Sequence, residues 1–291
     1  MNASNELYTN PTDKIRHDLL KRALERQGRP EDFTYITSLL SPPPEITSFA
    51  SPGSMKGVKI GIIGGGLAGL TAAFELRKMG ADITILEAEE ERIGGRVYTY
   101  YFDADRRYYA EFGPMRVPVS HETTWYYINL FQLNTESMAT PVQNTFRYVH
   151  NTRLRATESV EENLYPLYDL SPMERTTPWN EITTYATQYV MMQLSPEVRA
   201  QMLQILPKYA PEYLPIINTS FRSYMEYLGL SQGAINLMYG LNPTSGTAYP
   251  FSYDETTTDN YSMDFMNVYR ISNGFVNLPM AFLESFQKSS I

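Results

Sequence analysis

The segment from Val58 to Arg96 constrains this chain more than any other: VKIGIIGGGLAGLTAAFELRKMGADITILEAEEERIGGR. A short β-branched run opens it, as a buried strand requires. That run ends in Gly64-x-Gly66-x-x-Gly69, which leads into a stretch of helical period carrying Leu70, Ala73, Phe74 and Leu76. A second apolar strand, Ile83-Thr84-Ile85-Leu86, then delivers Glu87. Strand, glycine turn, helix and strand, with an acid 18 residues beyond the last glycine, make the fingerprint of a dinucleotide-binding unit. The glycines have separable jobs. Gly64 makes the tight turn, Gly66 lets the backbone approach a pyrophosphate, and Gly69 lets the helix pack close to the strand. The helix N-terminus, beginning at Leu67 and Ala68, offers unpaired N–H groups and a positive dipole end to the phosphates. Glu87 is placed to accept hydrogen bonds from ribose hydroxyls, and a carboxylate there disfavours a 2′-phosphate, so NADP is not the expected ligand.

Composition narrows the function classes. The 291 residues allow one large domain or two ordinary ones, with 43% hydrophobic and 19% charged residues, as in a globular protein. A net charge of −8 without a Lys/Arg run argues against a nucleic-acid partner. There is no Cys, which removes disulfides, thiolate metal sites and Cys nucleophiles from consideration. The first twenty residues hold no apolar core of the kind a signal peptide needs, and the uncharged run Ile60–Phe74 is short and rich in glycine. The expectation is a soluble, cytoplasmic protein without a membrane partner.

Along the chain, residues 13–28 read as a helix stopped at Gly28, and 41–56, with Pro42-Pro43-Pro44, as an irregular connector. After Arg96, the aromatic-rich stretches 97–102 and 107–112 read as strands, and 121–133 as a helix. Stretches 145–150 and 153–156 form a hairpin about His150-Asn151-Thr152. Further helices are expected at 180–194, 196–206, 219–229, 231–240 (capped by Ser231) and 278–286, with a turn at Ser272-Asn273-Gly274.

The run Glu87-Ala88 through Arg92-Ile93-Gly94-Gly95-Arg96, following the glycine fingerprint, resembles the FAD-dependent amine oxidase family. In that family the Gly-Gly-Arg loop wraps the cofactor with its arginine near the phosphates. The chemistry agrees, because two glycines permit close backbone approach and a guanidinium gives bidentate donors to a diphosphate. Glu111-Phe112-Gly113-Pro114-Met115-Arg116-Val117-Pro118 is similar to a stretch of the L-amino-acid oxidases. There the backbone passes the flavin ring and the arginine grips the substrate α-carboxylate. A planar fork of donors is the best side chain for that task. The other reading of Arg116 is an ion pair with Glu111 or Glu122. Ile271 to Pro279 resembles the family's return to the nucleotide-binding domain, with Asn273 where relatives carry a first glycine.

The resemblance implies an α/β fold: a Rossmann-like FAD-binding domain, interleaved substrate-domain strands and a helical subdomain. The expected divisions are 1–56 (N-terminal helix and linker packing on the substrate domain), 57–97 (FAD domain, first part), 98–157 (substrate-domain segment), 158–260 (helical subdomain) and 261–291 (return to the FAD domain). It also implies a flavoprotein L-amino-acid oxidase, taking an L-amino acid and oxygen to a 2-oxo acid, ammonia and hydrogen peroxide. A single crossover unit cannot cover its own sheet. The fold is therefore expected to be incomplete without a second half: either a second polypeptide supplies it in a two-chain enzyme, which is the favoured expectation, or the sequence is a fragment; a homo-oligomer of the assembled unit is left open. The alternatives are a monooxygenase of the same family that releases an amide, an oxidase of non-carboxylated amines, and a non-catalytic FAD-binding subunit. His17, His121 and His150 have no partner at metal-ligand spacing, so no metal is expected.

Overall fold

Residues 10–138, 145–242 and 249–287 are described by a computed structural model. The chain divides into two compact units. The first comprises Met1–Leu19, Leu40–Met138 and Asn267–Ile291; the second comprises Leu20–Leu39 and Ala139–Met266. No helix among the described residues is long and apolar enough to cross a membrane.

In the first unit, strands Lys59–Ile63 and Asp82–Leu86 pair in parallel, from Lys59 opposite Asp82 to Ile63 opposite Leu86. The helix Leu67–Arg77 connects them and buries Leu70, Ala73 and Phe74, the positions its period marks as apolar. Strands Thr99–Tyr101 and Tyr109–Glu111 form an antiparallel hairpin. A second small sheet places Val268–Ile271 between Val117–Pro118 and Thr135–Ser137. This late strand therefore pairs with segments more than 130 residues earlier, a partnership that local pattern does not reveal.

The core of this unit is aromatic. Phe74, Trp125, Tyr127, Ile271, Phe275 and Phe282 are buried together. The Phe74 ring meets Phe282, Phe131 and Tyr127 edge-on at 5.5, 5.4 and 6.2 Å. Such pairs add to area burial because ring edges meet the negative faces of their neighbours. The return helix Asn277–Gln287, bearing Leu278 and Phe282, thus packs on the crossover helix.

The second unit is mainly helical, with Trp179–Gln193, Phe221–Tyr227, Gln232–Leu241 and Tyr253–Tyr261 as its longer pieces beside Asp32–Leu40. Ser231 caps its helix as expected, accepting a bond from the Ala234 amide. The hairpin Phe146–Val149 and Thr152–Arg155 also forms as expected. It turns through His150 and Asn151, both at positive φ, the backbone that suits the twist of a two-residue hairpin.

The structure departs from the sequence reading at several stretches, of which three are the longest. The expected helix over 196–206 is one α-turn, Pro196–Arg199, followed by a 3₁₀ turn, Ala200–Leu203. Pro207 bars helical backbone at the residue before it. Helices Asp32–Leu40 and Tyr253–Tyr261 were not expected, since Phe, Tyr, Thr and Ile are weak helix formers. Burial of Ile36 in the first, and of Tyr253, Thr257 and Tyr261 in the second, overrides that propensity.

Candidate functional site

All the sequence-marked cofactor residues lie in the first unit, and its backbone draws most of them together. Gly64 sits at φ +100, a conformation that opens the turn, and its N–H donates to the Leu86 carbonyl at 2.7 Å. A Cβ on Gly69 would stand 2.0 Å from the Gly64 oxygen, so only glycine lets the helix start this close to the strand. Gly66 occupies the N-cap in extended backbone with no side-chain cap. The first amides of an α-helix, here those of Leu67, Ala68 and Gly69, have no intrahelical acceptor, and such a terminus is suited to an anion.

The Gly-Gly-Arg loop docks directly on this turn. The Gly94 N–H donates to the Gly65 carbonyl at 2.9 Å, and Gly66 and Gly94 form a parallel bridge. The next segment closes on the loop in turn, since a Cβ on Gly113 would lie 2.1 Å from the Arg96 carbonyl oxygen. Fingerprint, loop and the Gly113–Arg116 stretch are therefore contiguous in space. Pro114 is half-buried, whereas Met115, Arg96 and Arg116 are exposed. The buried strand Val117–Pro118 fixes the backbone on which Arg116 stands.

Glu87 closes the other side of the turn. Its Oε2 accepts from the Gly65 N–H at 2.7 Å, while Oε1 accepts from the amides of Ala88 and Glu89 at 2.7 and 3.0 Å. The amide of Glu89 first, and that of Gly65 next, hold the Glu87 carboxyl below its ordinary range; Arg92 adds a weaker attraction. Glu87 is thus an anion fixed beside the glycine turn. A carboxylate has about four acceptor sites, so three amide bonds leave capacity for a ribose hydroxyl.

Two supporting residues carry little signal of this role in the sequence. Arg92 donates to the Gly95 carbonyl at 2.7 Å and stacks 5.2 Å over the Tyr98 ring, bracing the loop from within. Glu111 accepts from the Phe275 N–H and from the Thr99 hydroxyl, each at 2.7 Å, and Thr99 accepts from the Val276 N–H. These bonds tie the return segment to the aromatic hairpin. Asn273, in the place of the expected glycine, adopts φ +61, and its carbonyl accepts from Tyr101. Only the spacing of Arg92 to the glycine pair, three residues, offers a cue to its bond.

The two acids weighed as partners of Arg116 each have other partners as well. Glu111 is bonded as above, and Glu122 accepts from Arg16 at 2.7 and 2.9 Å and lies 3.0 Å from His17. His121 directly precedes the helix Glu122–Leu130, and His150 packs edge-on to Tyr168. Among the described residues no cluster of three or more His, Cys, Asp and Glu is placed to hold a metal ion.

The backbone cradle, with its uncapped helix end, its fixed anion and its close glycine contacts, fits a flavin dinucleotide. Comparison with known proteins agrees. The family described as flavin containing amine oxidoreductase matches residues 67–269. The chain is similar to an L-amino-acid oxidase of Naja atra, 29% identical over 226 residues that cover 77% of this chain and 42% of that protein. It is similar to an L-amino acid oxidase of Cerastes cerastes, 30% identical over 233 residues covering 79% and 42%. Its fold resembles a solved putrescine oxidase, a double mutant from a redesign of cofactor binding, with a TM-score of 0.52 at 20% identity, covering 79% of this chain and 49% of that one. The chain thus spans less than half the length of the curated relatives it matches. It belongs to the flavin-containing amine oxidoreductase family, and its cofactor is FAD.

Proposed function

We propose that this chain is the cofactor- and carboxylate-binding part of a flavin-dependent L-amino-acid oxidase. The observation that carries the reading is the close approach of Gly113 to the Arg96 carbonyl, which holds Arg116 three residues from the loop docked on the dinucleotide fingerprint. In a Rossmann-type FAD domain, Gly64 to Gly69, Glu87 with Ala88, and Gly94 to Arg96 would hold the dinucleotide, and Gly113 to Met115 would line its flavin end. Bound FAD would take a hydride equivalent from the substrate Cα and pass two electrons to oxygen, giving hydrogen peroxide.

The chain's own contribution is placement. The Arg116 guanidinium grips the α-carboxylate as a bidentate fork and so orients the Cα–H. The released imino acid takes up water to give a 2-oxo acid and ammonia. Replacing Arg116 with Ala removes a charged anchor worth about 2–5 kcal/mol, so KM for the amino acid should rise roughly 30-fold or more while FAD stays bound. Unchanged KM in that variant contradicts the carboxylate role. Product analysis separates the oxidase from its monooxygenase relative: peroxide and oxo acid in equal amounts, against amide and carbon dioxide.

We also infer that a second polypeptide completes the fold. The support is on the first unit, where large apolar side chains stand open, with Ile63 91% and Phe112 66% exposed. Exposed apolar patches of this kind mark surfaces that bind another body. Intact mass and sedimentation of the native assembly test it; a monodisperse, active single chain of this length overturns it.

A further inference from the structure

The helical unit contains a cavity of about 350 Å³ whose walls are unlike a packing void. One wall is a stripe on the helix Trp179–Gln193, formed by Trp179, Thr183 and Thr187, which are spaced four apart and so share a face. Thr256 and Asn260, also four apart, line it from the helix Tyr253–Tyr261. Arg147, on the inward side of its hairpin strand, places its guanidinium 5.3 Å from the Trp179 ring centroid. Phe221, almost fully buried, lines it as well.

Voids left by imperfect packing are apolar, but this cavity is lined by three threonine hydroxyls, by Tyr249 and by the two amides of Asn242 and Asn260. Those hydroxyls already spend their protons. Thr183 and Thr187 donate to the carbonyls four residues back, each at 2.9 Å, and Thr256 does so at 3.1 Å. Arg147 is the charged group of the wall, and none of the described lining residues is acidic. A cationic ligand would meet a guanidinium without any countercharge, whereas a carboxylate would gain a bidentate partner. Rings and methyl groups suit a flat apolar body, and the volume lies at the small end for ligand sites.

We propose that this cavity is a binding site for a small single-ring aryl carboxylate, held by Arg147 through its carboxylate and by Trp179 and Phe221 through its ring. The site lies wholly in the helical unit and the proposal does not depend on the flavin chemistry above.

Isothermal titration of the full chain with phenylacetate, phenylacetamide and 2-phenylethylamine tests it. Phenylacetate should bind saturably at one site, about tenfold or more tighter than the amide, and the amine should not bind. Arg147→Gln should bring the acid down to the level of the amide. Thr187→Leu, which fills the cavity and leaves the guanidinium in place, should abolish binding of both. Absent saturable binding, equal affinity for acid and amide, or full affinity in Thr187→Leu would overturn the proposal. If Arg147→Gln loses its helical circular dichroism, Thr187→Leu alone decides the outcome.

Discussion

Asp32 has a fully buried side chain between two guanidinium groups in the second unit. It accepts from Arg29 Nη1 at 2.9 Å and from Arg199 Nε and Nη2 at 3.1 and 2.9 Å. Arg29 also donates to the Asn260 carbonyl, and Arg199 to that of Leu194. Removing the central charge leaves two cations in a dry interior, and breaking such a network costs about 3–5 kcal/mol. Asp32→Asn should therefore lower the unfolding free energy by that amount, read as a lower urea midpoint at unchanged slope, and a loss below about 1 kcal/mol would show the cluster to be solvated. Nothing in the sequence marks this triad, because Arg199 lies 167 residues from Asp32 and both read as ordinary polar positions. Glu87 is the opposite case. Its place at the end of the second strand was legible because the βαβ unit is local, and the structure adds only which amides hold it.

At the scale of elements, the close backbone contacts make a prediction with its own control. Gly113→Ala drives a Cβ to 2.1 Å from the Arg96 carbonyl, so the segment must shift and FAD retention on desalting should fall sharply. Gly61→Ala, in the first strand with no atom within 4 Å of the new Cβ, should retain FAD. Equal retention in the two variants would show that the loop contact does not shape the cradle.

Glu174 gives a pH signature to the helical unit. Burial pushes its pKa up, but hydrogen bonds from the Ser231 hydroxyl and amide and from Ser171 hold it below its ordinary 4.5. A carboxyl depressed in the folded state stabilises it above the unfolded pKa and loses that effect as pH falls through the folded value. Stability should thus decline below about pH 4.5, and Glu174→Gln should flatten this part of the urea-midpoint profile while lowering stability at neutral pH. An unchanged profile would remove Glu174 from the account.

Elements with a local code were readable: the glycine turn, the His150-Asn151 hairpin and the Ser231 cap. Ser252 with Glu255 was a readable code that went unused. Ser252 Oγ accepts from the Glu255 amide at the start of the helix Tyr253–Tyr261, and Ser-x-x-Glu is a capping-box pattern. In the 196–206 stretch the helical period runs past the α-turn Pro196–Arg199, which gives way to the 3₁₀ turn Ala200–Leu203, and Arg199 bonds to Asp32, a distant partner that local pattern does not show.

At the scale of the whole molecule, both units draw on segments far apart in sequence, so their boundaries follow pairing rather than order along the chain. The strand Val268–Ile271 and the helix after it rejoin the first unit through Glu111, Thr99 and the aromatic core. Phe282→Ala, at the centre of that core, should cost about 3–5 kcal/mol in urea unfolding and loosen the return segment; a cost under about 1 kcal/mol would deny it that place.

The proposed site sets a flavin held by Gly64 to Arg96 against a carboxylated amine held by Arg116. The decisive test is anaerobic mixing of the FAD-loaded native assembly with L-amino acids, followed at the visible flavin band. L-amino acids should bleach that band and the corresponding decarboxylated amines should bleach it little, and the bleaching should be lost at matched concentration in an Arg116→Ala variant that still carries FAD. Bleaching by amines and amino acids alike, undiminished in that variant, would contradict it.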